Sequence, residues 1–260
     1  MGGSSGPALV GGAGSGIGRA IARRLAADGR DVVLVGRTAA TLRDAADEVA
    51  DVTGQAVATV VADLADPAAA PELLAAAEAA HGPLDVLVLN AGGPPPGRIL
   101  DVDDAGWAAG ADLLLRGPLA LARAALPGMR ARGHGRVVVL TSTAVRQPQP
   151  DLAVSVVLRA AMTAAAKLLA REVAADGVTV NCVAPGATAT ARRDEILARR
   201  AAATGADRGE LDRADTAVVP AGRPGTPEEV AAAVGFLASE AAGYVTGTVL
   251  TVDGGRTETI

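Results

Sequence analysis

The stretch "VGGAGSGIGRA", residues 10–20, decides how the rest of the chain is read. It leaves a short apolar segment, "PALVGG" (7–12), and enters an amphipathic helical pattern, "IGRAIARRLAADG" (17–29), that stops at Gly29. Gly12, Gly16 and Gly18 permit a tight turn, a close backbone approach to a pyrophosphate and close packing of helix on strand. Ser15 and Ile17 sit between them, at the helix N-terminus, where amide donors and the helix dipole favour a phosphate. A glycine-rich loop alone is only a flexible turn. Placed between a strand and a helix at the head of a βαβ unit, it is a dinucleotide-binding signal.

Outward from this loop the pattern repeats. Strand-like runs at 31–37, 56–64, 84–92, 135–143, 178–185 and 247–255 alternate with helical segments at 41–52, 69–82, a long region to about Met129, 152–176 and 227–239. The strands are continuous Val/Leu runs, as expected of strands buried on both faces. Seven of them separated by helices predict a single-domain α/β protein over 1–260. The expected architecture is a Rossmann-type, doubly wound, seven-stranded parallel sheet with helices on both faces. The start "MGGSSG" reads as flexible. Residues 187–222 are polar and Arg-rich and break the rhythm; at this point of such a fold they are expected to form a lid over the carboxyl ends of the strands.

Composition narrows the function. The chain has 260 residues, half of them hydrophobic, and a net charge of -5. Basic residues are spread rather than clustered, which argues against nucleic acid as a partner. Cys182 is the single cysteine, so neither an internal disulfide nor a Cys-rich metal site is expected, and no metal site is assigned. No signal peptide and no apolar run long enough to cross a membrane are read, so a cytoplasmic protein without a membrane partner is expected. Trp107, Phe236 and Tyr244 are the only aromatics, and Lys167 is the only lysine.

The second strand ends in Gly36-Arg37. An acid there would hydrogen-bond the adenosine ribose 2′-hydroxyl; Arg37 instead suits a 2′-phosphate, which favours NADP(H) over NAD(H). A solvated arginine is the plainer reading of the same residue.

Together these segments resemble the short-chain dehydrogenase/reductase family over nearly the whole chain. The loop resembles the family's T-G-x-x-x-G-x-G, with Gly11 where threonine is usual. Asp63 and Leu64 stand where the family lines the adenine ring. Asn90-Ala91-Gly92 resembles its fourth-strand motif. Pro185 and Gly186, with Thr188 and Thr190 beyond, resemble the segment near the nicotinamide amide. The closing "YVTGTVLTVDGG" is similar to the family's C-terminal region, where Tyr244 has a structural or interface role. The resemblance implies hydride transfer on a carbonyl/alcohol pair of a small-molecule substrate, and a homotetramer or homodimer.

The resemblance breaks where it implies the chemistry. The family uses Asn, Ser, Tyr and Lys. Ser142 fits the serine position, but the tyrosine position is Ser155, the lysine position Arg159 and the asparagine position Leu114. Ser155 and Arg159, four apart, share a helix face. Arg159 can bond the ribose hydroxyls and an oxyanion by charge-assisted hydrogen bonds, but a guanidinium is a poor proton donor. Ser142, Ser155 and Arg159 are therefore the candidate catalytic residues. Two other readings stay open: a redox-neutral enzyme (dehydratase, cyclase or isomerase) and a non-catalytic binding protein. Arg192, Arg193, Arg199 and Arg200 on the lid either receive an acidic substrate or form a solvated face. "GGPPPG" (92–97) is either a pocket wall or a plain turn, and His81 and His134 read as surface residues.

Overall fold

Each Val/Leu run bounded by a turn residue becomes a strand, and each amphipathic run a helix. The computed structural model describes residues 6–259, so most of the "MGGSSG" start lies outside the described residues. In chain order the elements are β1 (Ala8–Gly11), α1 (Gly16–Ala27), β2 (Val32–Gly36), α2 (Ala39–Thr53), β3 (Val57–Val61), α3 (Ala70–His81) and β4 (Val86–Leu89). Then come α4 (Asp104–Ala111), a π-helical turn over Asp112–Arg116, α5 (Gly117–Arg132), β5 (Gly135–Leu140), α6 (Ala153–Val173) and β6 (Val178–Pro185). The chain closes with α7 (Ala191–Thr204), α8 (Arg208–Ala217), α9 (Pro227–Leu237) and β7 (Val249–Val252).

All pairings are parallel, and the sheet runs β3-β2-β1-β4-β5-β6-β7. The strand order reverses between β1 and β4, the place where such sheets bind their ligands. Alternate residues feed two cores. Val10, Leu34, Val88 and Val138 face Ile21, Leu25, Val234 and Leu237. Leu9, Val33, Leu87 and Val137 face Leu73, Leu126, Met129 and Met162 on the other side. β1, β2 and β4 are therefore buried on both faces, and their sequences carry no polar alternation.

Local signals set the helix ends. α9 starts with a capping box between Thr226 and Glu229, and Pro227 occupies its first turn, as its sequence predicts. The long helical region expected to end near Met129 is broken by the π-helical turn and runs on to Arg132. The stretch 187–222 contains two helices. Thr190 caps α7 by accepting from the Arg193 amide, and Asp207 caps α8 by accepting from the Glu210 amide.

One expectation needs correction. The helix over Ala153–Asp176 is long and apolar enough, by length and composition, to cross a membrane. The physical reason is its alanine content, which raises hydropathy without adding bulk. In the fold this helix buries Met162, Ala166, Ala170 and Val173 in one of the two cores, and it carries Arg159 into the site described next.

Candidate active site

A cavity of about 340 Å³ lies at the carboxyl ends of the central strands, over the switch point. One wall is the glycine loop. Gly12 (φ 59) and Gly16 (φ 52) hold left-handed backbone that side chains disfavour. A Cβ on Gly18 would fall 2.1 Å from the Gly12 carbonyl oxygen, so only glycine lets α1 start this close to the loop. A Cβ on Gly11 would fall 2.6 Å from the Asn90 carbonyl oxygen, so β1 and β4 meet closely here. Asn90 Nδ2 donates to the Gly11 carbonyl at 2.9 Å and ties β4 to the loop. Ser15 precedes α1 without capping it through its side chain, so the first-turn amides have no acceptor from the cap. Ser15, Gly16, Ile17 and Gly18 line the cavity with Gly12. Such a cradle, too tight for any Cβ at Gly18, fits the pyrophosphate of a dinucleotide.

The other predicted nucleotide residues divide into two groups. Asn90, Ala91, Gly92, Pro185, Gly186, Thr188 and Thr190 line the same cavity. Arg37, Asp63 and Leu64 do not; they lie beyond the ends of β2 and β3. Arg37 is exposed and makes no ion pair among the described residues. Asp63 accepts from the Ala65 amide at 3.0 Å, and the Leu64 carbonyl oxygen approaches Gly117 so closely that a Cβ there would lie 1.9 Å away.

Across from the glycine loop stand the reaction candidates. Ser142 follows β5, and its hydroxyl accepts from the Ala144 amide at 3.1 Å. Ser155 and Arg159 point the same way from α6: Arg159 Nε donates to Ser155 Oγ at 3.2 Å, and Nη1 donates to the Leu140 carbonyl at 2.5 Å. All three side chains line the cavity. Burial pushes the Arg159 guanidinium down to about 10, and the charge of Arg192 acts in the same direction. It remains charged at neutral pH. Leu114 lies in the π-helical turn, 4% exposed, packed with Val154 and Leu158. Leu114 does not line the cavity and carries no polar group to anchor a proton relay.

The cavity is roofed by α7 and α8, through Arg192, Arg193, Ile196, Leu197, Arg200 and Asp215. The lid arginines divide by role. Arg193 bonds Asp212 and, at 3.0 Å, Asp215. Arg200 grips both oxygens of Asp151, at 2.6 and 3.0 Å. Arg199 pairs with Glu195 on the outer surface. Arg256 joins Asp215 at 3.1 Å, which ties the C-terminal segment to the roof. Sequence reading missed Asp151, Asp215 and Arg256, because isolated charges in loops and helices carry no local pattern; they find one another only in the fold. "GGPPPG" does form wall: Gly92 and Gly93 line the cavity, and the carbonyl of buried Pro94 accepts from Arg192 Nη2 at 2.5 Å. His81 ends α3, and His134 lies 3.8 Å from Asp85, both just before strands and so at the opposite end of the sheet from the cavity. Tyr244 is fully exposed, and burial pushes the Cys182 thiol up to about 12.

Fold and cavity define a class, the Rossmann-type dinucleotide-binding scaffold. Comparison supplies the family. The family model described as enoyl-(acyl carrier protein) reductase matches residues 12–257. Galactitol 2-dehydrogenase (L-tagatose-forming) of Cereibacter sphaeroides is 42% identical over 254 residues, covering 96% of this chain and 94% of that protein. Short-chain reductase protein NovJ of Streptomyces niveus is 37% identical over 251 residues, covering 96% and 93%. The solved structure of an actinorhodin polyketide ketoreductase with NADPH superposes with a TM-score of 0.94 at 32% identity, covering all of both chains. The chain belongs to the short-chain dehydrogenase/reductase family, a family of oxidoreductases.

Proposed function

We propose that this protein is an NADP(H)-dependent reductase of a small carbonyl compound that works with an arginine in place of the family's tyrosine and lysine. The observation that carries this reading is Arg159, a charged group in the cavity wall whose partners are two neutral oxygens. A guanidinium has five N–H donors, so it retains donors for a substrate oxygen and the ribose hydroxyls. When bound, the nicotinamide supplies or takes up the hydride. Arg159 compensates the charge that develops on the substrate oxygen, and Ser142 orients that oxygen. Arg159 does not give up its proton, so the proton comes from water, with Ser155 in reach to pass it on. Leu114 leaves no polar anchor for the relay that the resemblance implies.

The glycine loop suits the pyrophosphate, and Arg37, exposed and unpaired among the described residues, suits a 2′-phosphate. Asp63, Leu64, Asn90, Ala91, Gly92, Pro185, Gly186, Thr188 and Thr190 complete the proposed nucleotide site. The NADPH held by the ketoreductase supports the same cofactor. We also propose a homodimer or homotetramer, paired through α6. Its outer face exposes Val157 (43%) and Leu168 (62%) among small alanines, which allows close helix packing. A monomeric mass in light scattering at micromolar concentration counts against pairing. The test of function follows the absorbance of reduced nicotinamide during turnover on a ketone panel. Consumption by the wild type and its loss in Arg159→Ala support the reading; turnover without nucleotide consumption overturns it.

A further inference from the structure

Arg192 occupies a costly place. It stands in the first turn of α7, where the helix dipole disfavours a cation. Arg193, beside it, is compensated by Asp212, Asp215 and Thr216. Arg192 has a single carboxylate partner. Its Nη1 meets only Glu195, itself 44% exposed, and Nη2 meets the Pro94 carbonyl. The guanidinium lies against Gly93, where a Cβ would come within 2.9 Å of Nη2, so a side chain at 93 would push it out of place. It also faces Arg159, a like charge in the same cavity, and Arg159 has no carboxylate partner among the described residues. Two guanidiniums on one cavity wall, with a single carboxylate between them, favour an anion that bridges both.

We propose that Arg192 is a specificity-determining residue that holds the carboxylate of an oxo-acid substrate while Arg159 holds its carbonyl oxygen. This rests on the proposed reductase function and names its substrate class. The remaining donors of Arg192 form a planar fork suited to a carboxylate. Leu152 and Ile196 border the same space and suit a short apolar side chain on the acid. Arg193 and Arg200 hold the roof through their own carboxylates and are not available for this role.

The test is calorimetric binding of 2-oxo and 3-oxo acids with methyl, branched and aromatic side chains. Each is titrated against its methyl ester into protein saturated with the oxidised nucleotide. At least one acid is expected to bind about tenfold to a hundredfold more tightly than its ester, the range for a charge-assisted hydrogen bond. Arg192→Ala and Arg192→Gln are expected to abolish that preference, and Arg192→Lys to keep part of it. Arg208→Ala, on exposed α8, is expected to leave it unchanged. Nucleotide affinity of the Arg192 variants is expected to equal that of the wild type. The proposal is overturned by acids and esters that bind alike, by an acid preference that survives in both neutral variants, or by a nucleotide affinity that falls along with acid affinity. In those cases consumption of reduced nicotinamide with neutral ketones still upholds the reductase reading. Failure of the protein to bind nucleotide overturns both.

Discussion

The two walls of the cavity are built from different parts of the chain's chemistry. The loop at Gly12–Gly18 works through what it lacks: its turn and close approach exist because no Cβ is present. The opposite wall carries functional groups, those of Ser142, Ser155 and Arg159. A place held by the absence of a side chain accepts no easy replacement: a Cβ at Gly18 collides with backbone, and Gly12 and Gly16 hold left-handed backbone. A place held by a functional group accepts another group of suitable charge and reach. The glycine spacing accordingly resembles the family's loop at Gly12, Gly16 and Gly18, whereas the proposed reaction wall departs from the residues that the resemblance implies.

Arg159→Ala is expected to have the largest effect, raising the barrier to turnover by about 2–4 kcal/mol, as for loss of an oxyanion donor. Arg159→Lys should retain partial activity. The measurement is kcat/KM on a ketone panel; full activity in Arg159→Ala, with Ser155→Ala inactive, would reverse the roles assigned here. Next comes Gly18→Ala, which forces a methyl against the Gly12 carbonyl. It should cost about 1–3 kcal/mol of stability and eliminate the rise in melting temperature that nucleotide gives the wild type. A Gly18→Ala protein that still gains stability from nucleotide would break the contrast between the walls. Arg37→Ala should weaken NADPH binding by about 1 kcal/mol, the upper end for an exposed ion pair, and leave NADH binding unchanged. Equal wild-type affinities for the two nucleotides, measured by calorimetry, would remove Arg37 from the site. Ser155→Ala should cost much less in barrier than Arg159→Ala, because the Arg159 guanidinium keeps its bond to the Leu140 carbonyl once the Ser155 hydroxyl is gone.

The same contrast explains what the sequence disclosed. The sheet was legible because β1, β2 and β4 are runs of Ala, Val and Leu with no polar residue, and the loop was legible because glycines at fixed spacing have few other uses. Ser142, Ser155 and Arg159 were found by position along known elements. Their mutual geometry, with Arg159 bonded to Ser155 and to the Leu140 carbonyl, was not legible, since it depends on how α6 lies across β5. The π-helical turn carrying Leu114 left no signal in "DLLLRG", which reads as ordinary helix. The lid arginines formed one undifferentiated patch in the sequence. Partners as distant along the chain as Asp151 and Asp215 gave Arg193 and Arg200 different duties from Arg192.

The roof over the cavity is fastened mainly by charge. Asp215, its side chain 12% exposed, meets Arg193 and Arg256 and lies 4.0 Å from Arg200, which in turn holds Asp151. Fastenings of this kind respond to dissolved ions where they reach the surface, because the screening length shrinks from about 8 Å at physiological ionic strength to about 3 Å in molar salt. Molar salt is therefore expected to loosen the more exposed pair of Arg200 with Asp151 before the better buried pair of Arg193 with Asp215.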